Sequence, residues 1–233
     1  MTASKLKAIS IAMFSIALYA CSTQVSLQDP SIPDPLIEQL PLTVAARYPE
    51  QFEHFVHEEQ VIGKKKWTID MGRANSMLFT QLFESMFTDF SVLKAGDDPK
   101  NFKFDALIEP TIDAFEFSVP SQSQTDAFAV WIRYRIKIFD QEGNQIANWP
   151  ISAYGKSLDP GLGGDDEALR RAAVLAMRDA AALVILQMDK ATGISALSET
   201  RRGLARSPES ADAGAASDVL RTTASEENRD DSG

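Results

Sequence analysis

Glu53, His54, His57, Glu58 and Glu59 form the one cluster in this sequence with metal-ligand character. Zinc-protease chemistry needs two histidines four apart on one helix face, with a glutamate directly after the first. Here the histidines are three apart, and on a strand that spacing sends them to opposite faces. They read as solvated or partly packed histidines, ahead of a metal site or a pH-sensitive contact. Hydrolysis by a serine or cysteine nucleophile needs an oriented histidine beside it, yet no Gly-x-Ser-x-Gly elbow occurs and only two histidines are present. The glycines at Gly161, Gly163 and Gly164 lack the following Lys-Ser/Thr of a phosphate loop and read as a flexible approach to a helix. Asp165-Asp166-Glu167 reads as the acidic start of that helix, compensating its dipole, rather than as a carboxylate pair for glycoside chemistry. From the residues we expect no catalytic group, no cofactor and no metal.

The remaining candidate for chemistry is Cys21, the only cysteine in 233 residues, which rules out an intrachain disulfide. Before it, Lys5 and Lys7 supply a short positive region, and Ala8 to Ala20 form an apolar stretch, the layout of an export signal over residues 1–20. The stretch falls short of the roughly 20 apolar residues that span a bilayer, so a retained transmembrane helix is the weaker reading. Leu18-Tyr19-Ala20-Cys21 resembles the bacterial lipobox, in which the cysteine is acylated and becomes the mature N-terminus. Tyr19 is bulkier than is usual at its position; the alternative is a chance thiol beside an ordinary cleavage site. Two or more acyl chains give stable attachment at about 0.8 kcal/mol per buried CH2. The resemblance implies a membrane partner through acyl chains on Cys21. Because Ser22 lacks the acidic side chain that favours inner-membrane retention, it also implies the periplasmic face of the outer membrane.

A net charge of −10 argues against a nucleic-acid partner, since binding a phosphate backbone needs a concentrated positive surface. Residues 21–41 carry Pro30, Pro33, Pro35 and Pro41 without hydrophobic periodicity and read as an extended linker behind the lipidated cysteine. Residues 196–233 are polar and lack aromatics, the composition of a disordered tail. Between them, residues 42–195 hold enough apolar material for one domain.

Within that domain, strands are expected at Leu42 to Tyr48, within Phe52 to Ile62, and at Trp67 to Met71 after a Gly63-Lys64-Lys65-Lys66 turn. The four-residue recurrence of Leu78, Leu82, Met86 and Phe90 predicts a helix over Asn75 to Phe90. Asp105 to Val119 reads as a strand with an edge or bulge near Pro110. The clearest pattern is Val130, Ile132, Tyr134, Ile136 and Ile138 against Arg133, Arg135 and Lys137, which gives one buried and one wet face. Asp140 to Asn144 turns the chain, and Gln145 to Tyr154 returns as the second strand of a hairpin, Pro150 marking an irregular or exposed edge. Asp165 or Asp166 is expected to cap a long helix to about Lys190, whose alanines permit close approach to a sheet. The predicted fold class is α+β: an antiparallel or mixed β-sheet with two amphipathic helices packed on one face, in one domain.

The hairpin Trp131-Ile132-Arg133-Tyr134-Arg135-Ile136-Lys137-Ile138-Phe139-Asp140, followed by Gly143 and Trp149 and closed by an alanine-rich helix, is similar to small bacterial outer-membrane lipoproteins. Among these are YajG-type and penicillin-binding-protein-activator lipoproteins, with a fold like the N-terminal domain of TolB. The resemblance covers about Leu42 to Lys190 as a pattern of elements. It implies a non-enzymatic accessory or scaffold subunit that binds another envelope protein. The matching surface is Trp131, Arg133, Arg135 and Lys137, because tryptophan and arginine are enriched in binding hot spots; the plainer reading is a solvated sheet face. A carrier whose sheet and helices part around a lipid or other apolar ligand is the alternative function.

Overall fold

The structure, a computed structural model, describes residues 22–27, 30, 35–61, 65–94, 96–123, 125–158, 163–188 and 190–205. The expected export signal, Cys21 and residues 206–233 lie outside the described residues.

Alternation organises the main sheet. In β7 (Ala127–Phe139) Phe128, Val130, Ile132, Tyr134, Ile136 and Ile138 are buried on one face, as the sequence pattern requires. It pairs antiparallel with β6 (Ala106–Ser118) and β8 (Gln145–Leu158). On the far side of β6 lie β2 (Leu40–Arg47) and β5 (Phe87–Leu93), both parallel additions, so the five-stranded order is β5-β2-β6-β7-β8. A second sheet of three strands, β1 (Ser22–Ser26), β4 (Lys65–Asp70) and β3 (Val56–Val61), is also mixed. The α+β class holds, with the strands divided between two sheets rather than gathered in one.

Two amphipathic helices cover the buried face. In α2 (Gly72–Met86), Phe79 packs edge-on to Tyr134 at 5.3 Å between ring centroids, and the Tyr134 hydroxyl donates to Asn75 Oδ1 at 2.8 Å. The longer α3 (Gly164–Met188) lies along β7 and β8 and buries Ala172, Ala173, Ala176 and Ala180. Its approach depends on Gly155, whose added Cβ would stand 2.0 Å from the Ala172 carbonyl oxygen and 2.3 Å from the Ala176 nitrogen. The helix begins at Gly164, so Asp165 and Asp166 occupy its first turn instead of capping it.

Both prolines noted in strands sit where a missing N–H is tolerated. The β2–β6 ladder ends at Ile108, before Pro110, and Asp113 is skipped in the β6–β7 register as a bulge residue. Pro150 lies in β8, an edge strand.

Several boundaries differ from expectation: the helix expected from Asn75 starts at Gly72, and Lys65 and Lys66, expected in a turn, open β4. The helix expected through Phe90 stops at Met86, and Phe87–Leu93 continues as β5. The period of four runs on only because Phe90 still packs against Phe83, at 5.9 Å, from within the strand. Phe52 belongs to the short α1 (Glu50–Glu53), and the expected strand starts later, at Val56. The expected linker folds at its beginning: β1 adds to the edge of β4, burying Val25 and then Leu27. A single apolar side chain alternating with Thr23, Gln24 and Ser26 gave no periodic signal. The tail expected from residue 196 instead begins inside α4 (Thr192–Ala205), which buries Ile194 and Ser198 and ties Arg201 to Asp105 at 2.6 Å.

Candidate functional site

The outward face of β7 carries Trp131, Arg133, Arg135, Lys137 and Phe139, and the structure does bring the four predicted docking residues into one row. Their neighbours decide what that row can do. Antiparallel register sets Glu109 opposite Lys137, Thr111 opposite Arg135 and Glu116 opposite Trp131. Arg135 forms an ion pair with the bulged Asp113, and its Nη1 donates to Asn148 Oδ1 at 3.3 Å. That hydrogen bond to Asp113 raises the guanidinium pKa above its ordinary value. Glu109 is bonded in turn to Arg47 of β2. The row is therefore charge-balanced by β6, in place of the local positive stripe that the sequence of β7 alone suggested. The bulge explains the miss, because it moves Asp113 out of simple alternation and toward Arg135.

At the Trp131 end the character changes. Tyr154 of β8 is the register partner of Trp131, and the two rings lie 5.2 Å apart, tilted by 44°. Trp131 is 44% exposed and Tyr154 43%, with Leu158 further along the same face at 68%. Aromatic pairs across strands stabilise a sheet, but two half-exposed rings leave substantial apolar area in water. Beside them Arg133 is exposed, and its side chain makes no hydrogen bond or ion pair among the described residues. A depression of about 230 Å³ opens here between Ala114, Glu116, Trp131, Arg133 and Ser152. Sequence reasoning missed Tyr154, although its near-equal distance from the hairpin turn was a usable signal. The opposite end of the face is closed by Ala45, Leu93, Phe104 and Leu107, against which Phe139 packs.

The other sequence candidates separate. His57 lies in β3 with its ring 4.9 Å from that of Phe115 and its Nε2 3.3 Å from Glu59 Oε2. His54 follows α1 and is exposed. Among the described residues no three His, Cys, Asp or Glu side chains converge in a metal-binding arrangement. Glu167 is held by Arg170 at 2.7 Å through both carboxylate oxygens, and that bonding lowers its pKa. No helix among the described residues is long and apolar enough to cross a membrane.

No family model and no curated protein matches the chain. Its structural neighbours include a Xanthomonas campestris protein of the family DUF330, 12% identical with a TM-score of 0.47 over 78% of this chain and 99% of that one. A minor lipoprotein of Acinetobacter baumannii is 10% identical, with a TM-score of 0.39 over 67% and 96%. Lipoprotein GNA1162 of Neisseria meningitidis is 11% identical, with a TM-score of 0.29 over 52% and 88%.

Proposed function

We propose that this protein is a lipoprotein of the bacterial envelope, anchored through acyl chains on Cys21, acting as a non-enzymatic accessory or scaffold subunit. Its folded domain binds another envelope protein at the outer membrane. The observation that carries the reading is the Trp131–Tyr154 pair, half exposed beside the exposed Arg133 on the sheet face opposite the helices. Binding hot spots are rich in these three residue types, and burial of both rings by a partner would supply apolar area around a directional cation. Arg135 and Lys137, facing acids of β6, serve as the polar rim of the contact.

Carriage of an apolar ligand fits less well, because the space between sheet and helices is filled by Phe52, Phe79, Phe83 and Tyr134, all essentially without exposure. The test is photocrosslinking in the native envelope from a probe at Ser152, with and without Trp131→Ala and Arg133→Glu. Loss of a specific protein adduct in both variants, with unchanged thermal unfolding, supports the docking face. An adduct indifferent to both substitutions removes it, and lipid retained through native mass spectrometry would favour carriage.

A further inference from the structure

Ser22 is already a strand residue of β1. Ser22 stands in register with Lys66 and Thr23 with Trp67, in a parallel ladder that begins one peptide bond after Cys21. Consecutive Cα atoms are about 3.8 Å apart, so an acylated Cys21 has no slack between bilayer and ladder. The strand ends gathered there are the start of β1, the start of β4 at Lys65 and Lys66, and the end of β3 at Gln60 and Val61.

Contacts between the layers carry the same level across to the larger sheet. Trp67 packs on Phe117 at 5.9 Å, and Glu116 and Phe117 pair with Trp131 and Val130. Trp131, with Tyr154 opposite it, thus stands near the level of Thr23, while the Asp140 to Asn144 turn lies at the far end of the hairpin. Consecutive lysines at the anchor end of a chain of net charge −10 are an uneven distribution of charge. Lys66 shares its charge with Glu58 at 2.9 Å across the two strands, and holds that carboxylate in its ionised form.

We infer that the domain rests directly on the bilayer, its Lys65 and Lys66 end against anionic lipid headgroups. The inference rests on acylation of Cys21. A lysine at an anionic surface changes the association equilibrium by roughly fivefold, and this attraction offsets the repulsion that the rest of the acidic domain feels.

The full-length acylated protein is reconstituted into phosphatidylcholine vesicles with and without phosphatidylglycerol. An environment-sensitive fluorophore is placed at Gln60→Cys or, as the far-end control, at Glu142→Cys. A nitroxide attached to the lipid headgroup should quench the Gln60 probe strongly and the Glu142 probe weakly, and phosphatidylglycerol should increase the first. Lys65→Gln with Lys66→Gln, and the double change to Glu, should abolish that increase, by roughly fivefold or more in the bound-state population for the reversal. Equal quenching at both positions overturns the orientation, and lipid dependence that survives charge reversal overturns the role of the lysines. Intact mass and flotation are read on the same sample: absence of acyl mass on Cys21 with failure to float overturns the anchoring reading itself.

Discussion

The Asp140 carboxylate closes the β7–β8 turn. It accepts from the Asn144 backbone nitrogen at 2.7 Å and from Asn144 Nδ2 at 2.9 Å. These bonds, the side-chain one foremost, lower its pKa in the folded protein. A depressed acid contributes stability that is present above its unfolded value and is lost as pH falls through the folded one. The Asn144 amide resonances are therefore expected to titrate only below the ordinary aspartate range, and in Asp140→Ala to be acid-insensitive while the turn's amides exchange faster. Titration at the ordinary value would contradict this. At this scale the sequence showed the turn and the two faces of β7, since both are local. The partner of Arg135 was not legible, because Asp113 arrives from another strand through a bulge that only the folded sheet defines, whereas Tyr154 opposite Trp131 could have been counted back from the hairpin turn.

Elements meet most tightly where α3 crosses β8. Gly155 faces inward, opposite Val130, and its missing side chain lets the helix backbone at Ala172 and Ala176 rest on the strand. A Cβ there collides with backbone atoms, which cannot turn aside as a flexible side chain can. Gly155→Ala should thus destabilise the fold by about 3 kcal/mol, whereas Gly143→Ala meets only open space and costs what its left-handed φ of 88° demands. Urea unfolding of the two variants reads the difference; a Gly155 variant as stable as the parent would show that the helix can lift without loss. The alanine stripe of α3 announced this close approach in the sequence, but the glycine's role did not appear, because period-2 alternation treats it as an empty position. The same strand protects its edge. Pro150 offers no N–H, and the Tyr154 N–H donates to Asp179 Oδ2 of α3 at 3.0 Å.

At the scale of the whole molecule, the chain's two ends close the domain. The first strand adds to β4 and touches α3, while α4 packs against β2 and β8. Neither was legible, because each is too short or too polar to signal burial alone and gains its partner only from the finished fold. If β1 were merely a tether, substitutions within it would change stability by no more than about 0.5 kcal/mol. Leu27, directly after β1, instead continues the strand into the main core beside Val25, its N–H donating to the Asp70 carbonyl at 2.9 Å, so Leu27→Ala is expected to cost about 2–4 kcal/mol in urea unfolding, and Gln24→Ala, from the exposed side of β1, close to nothing. Equal small effects would return β1 to the role of spacer. The expected outcome has a mechanical corollary: force or thermal motion transmitted from an acylated Cys21 enters the core through β1. With Cys21 acylated as proposed, anchoring and folding would share a strand, and any loosening of β1 would both release the proposed orientation at the surface and uncover the edge of β4.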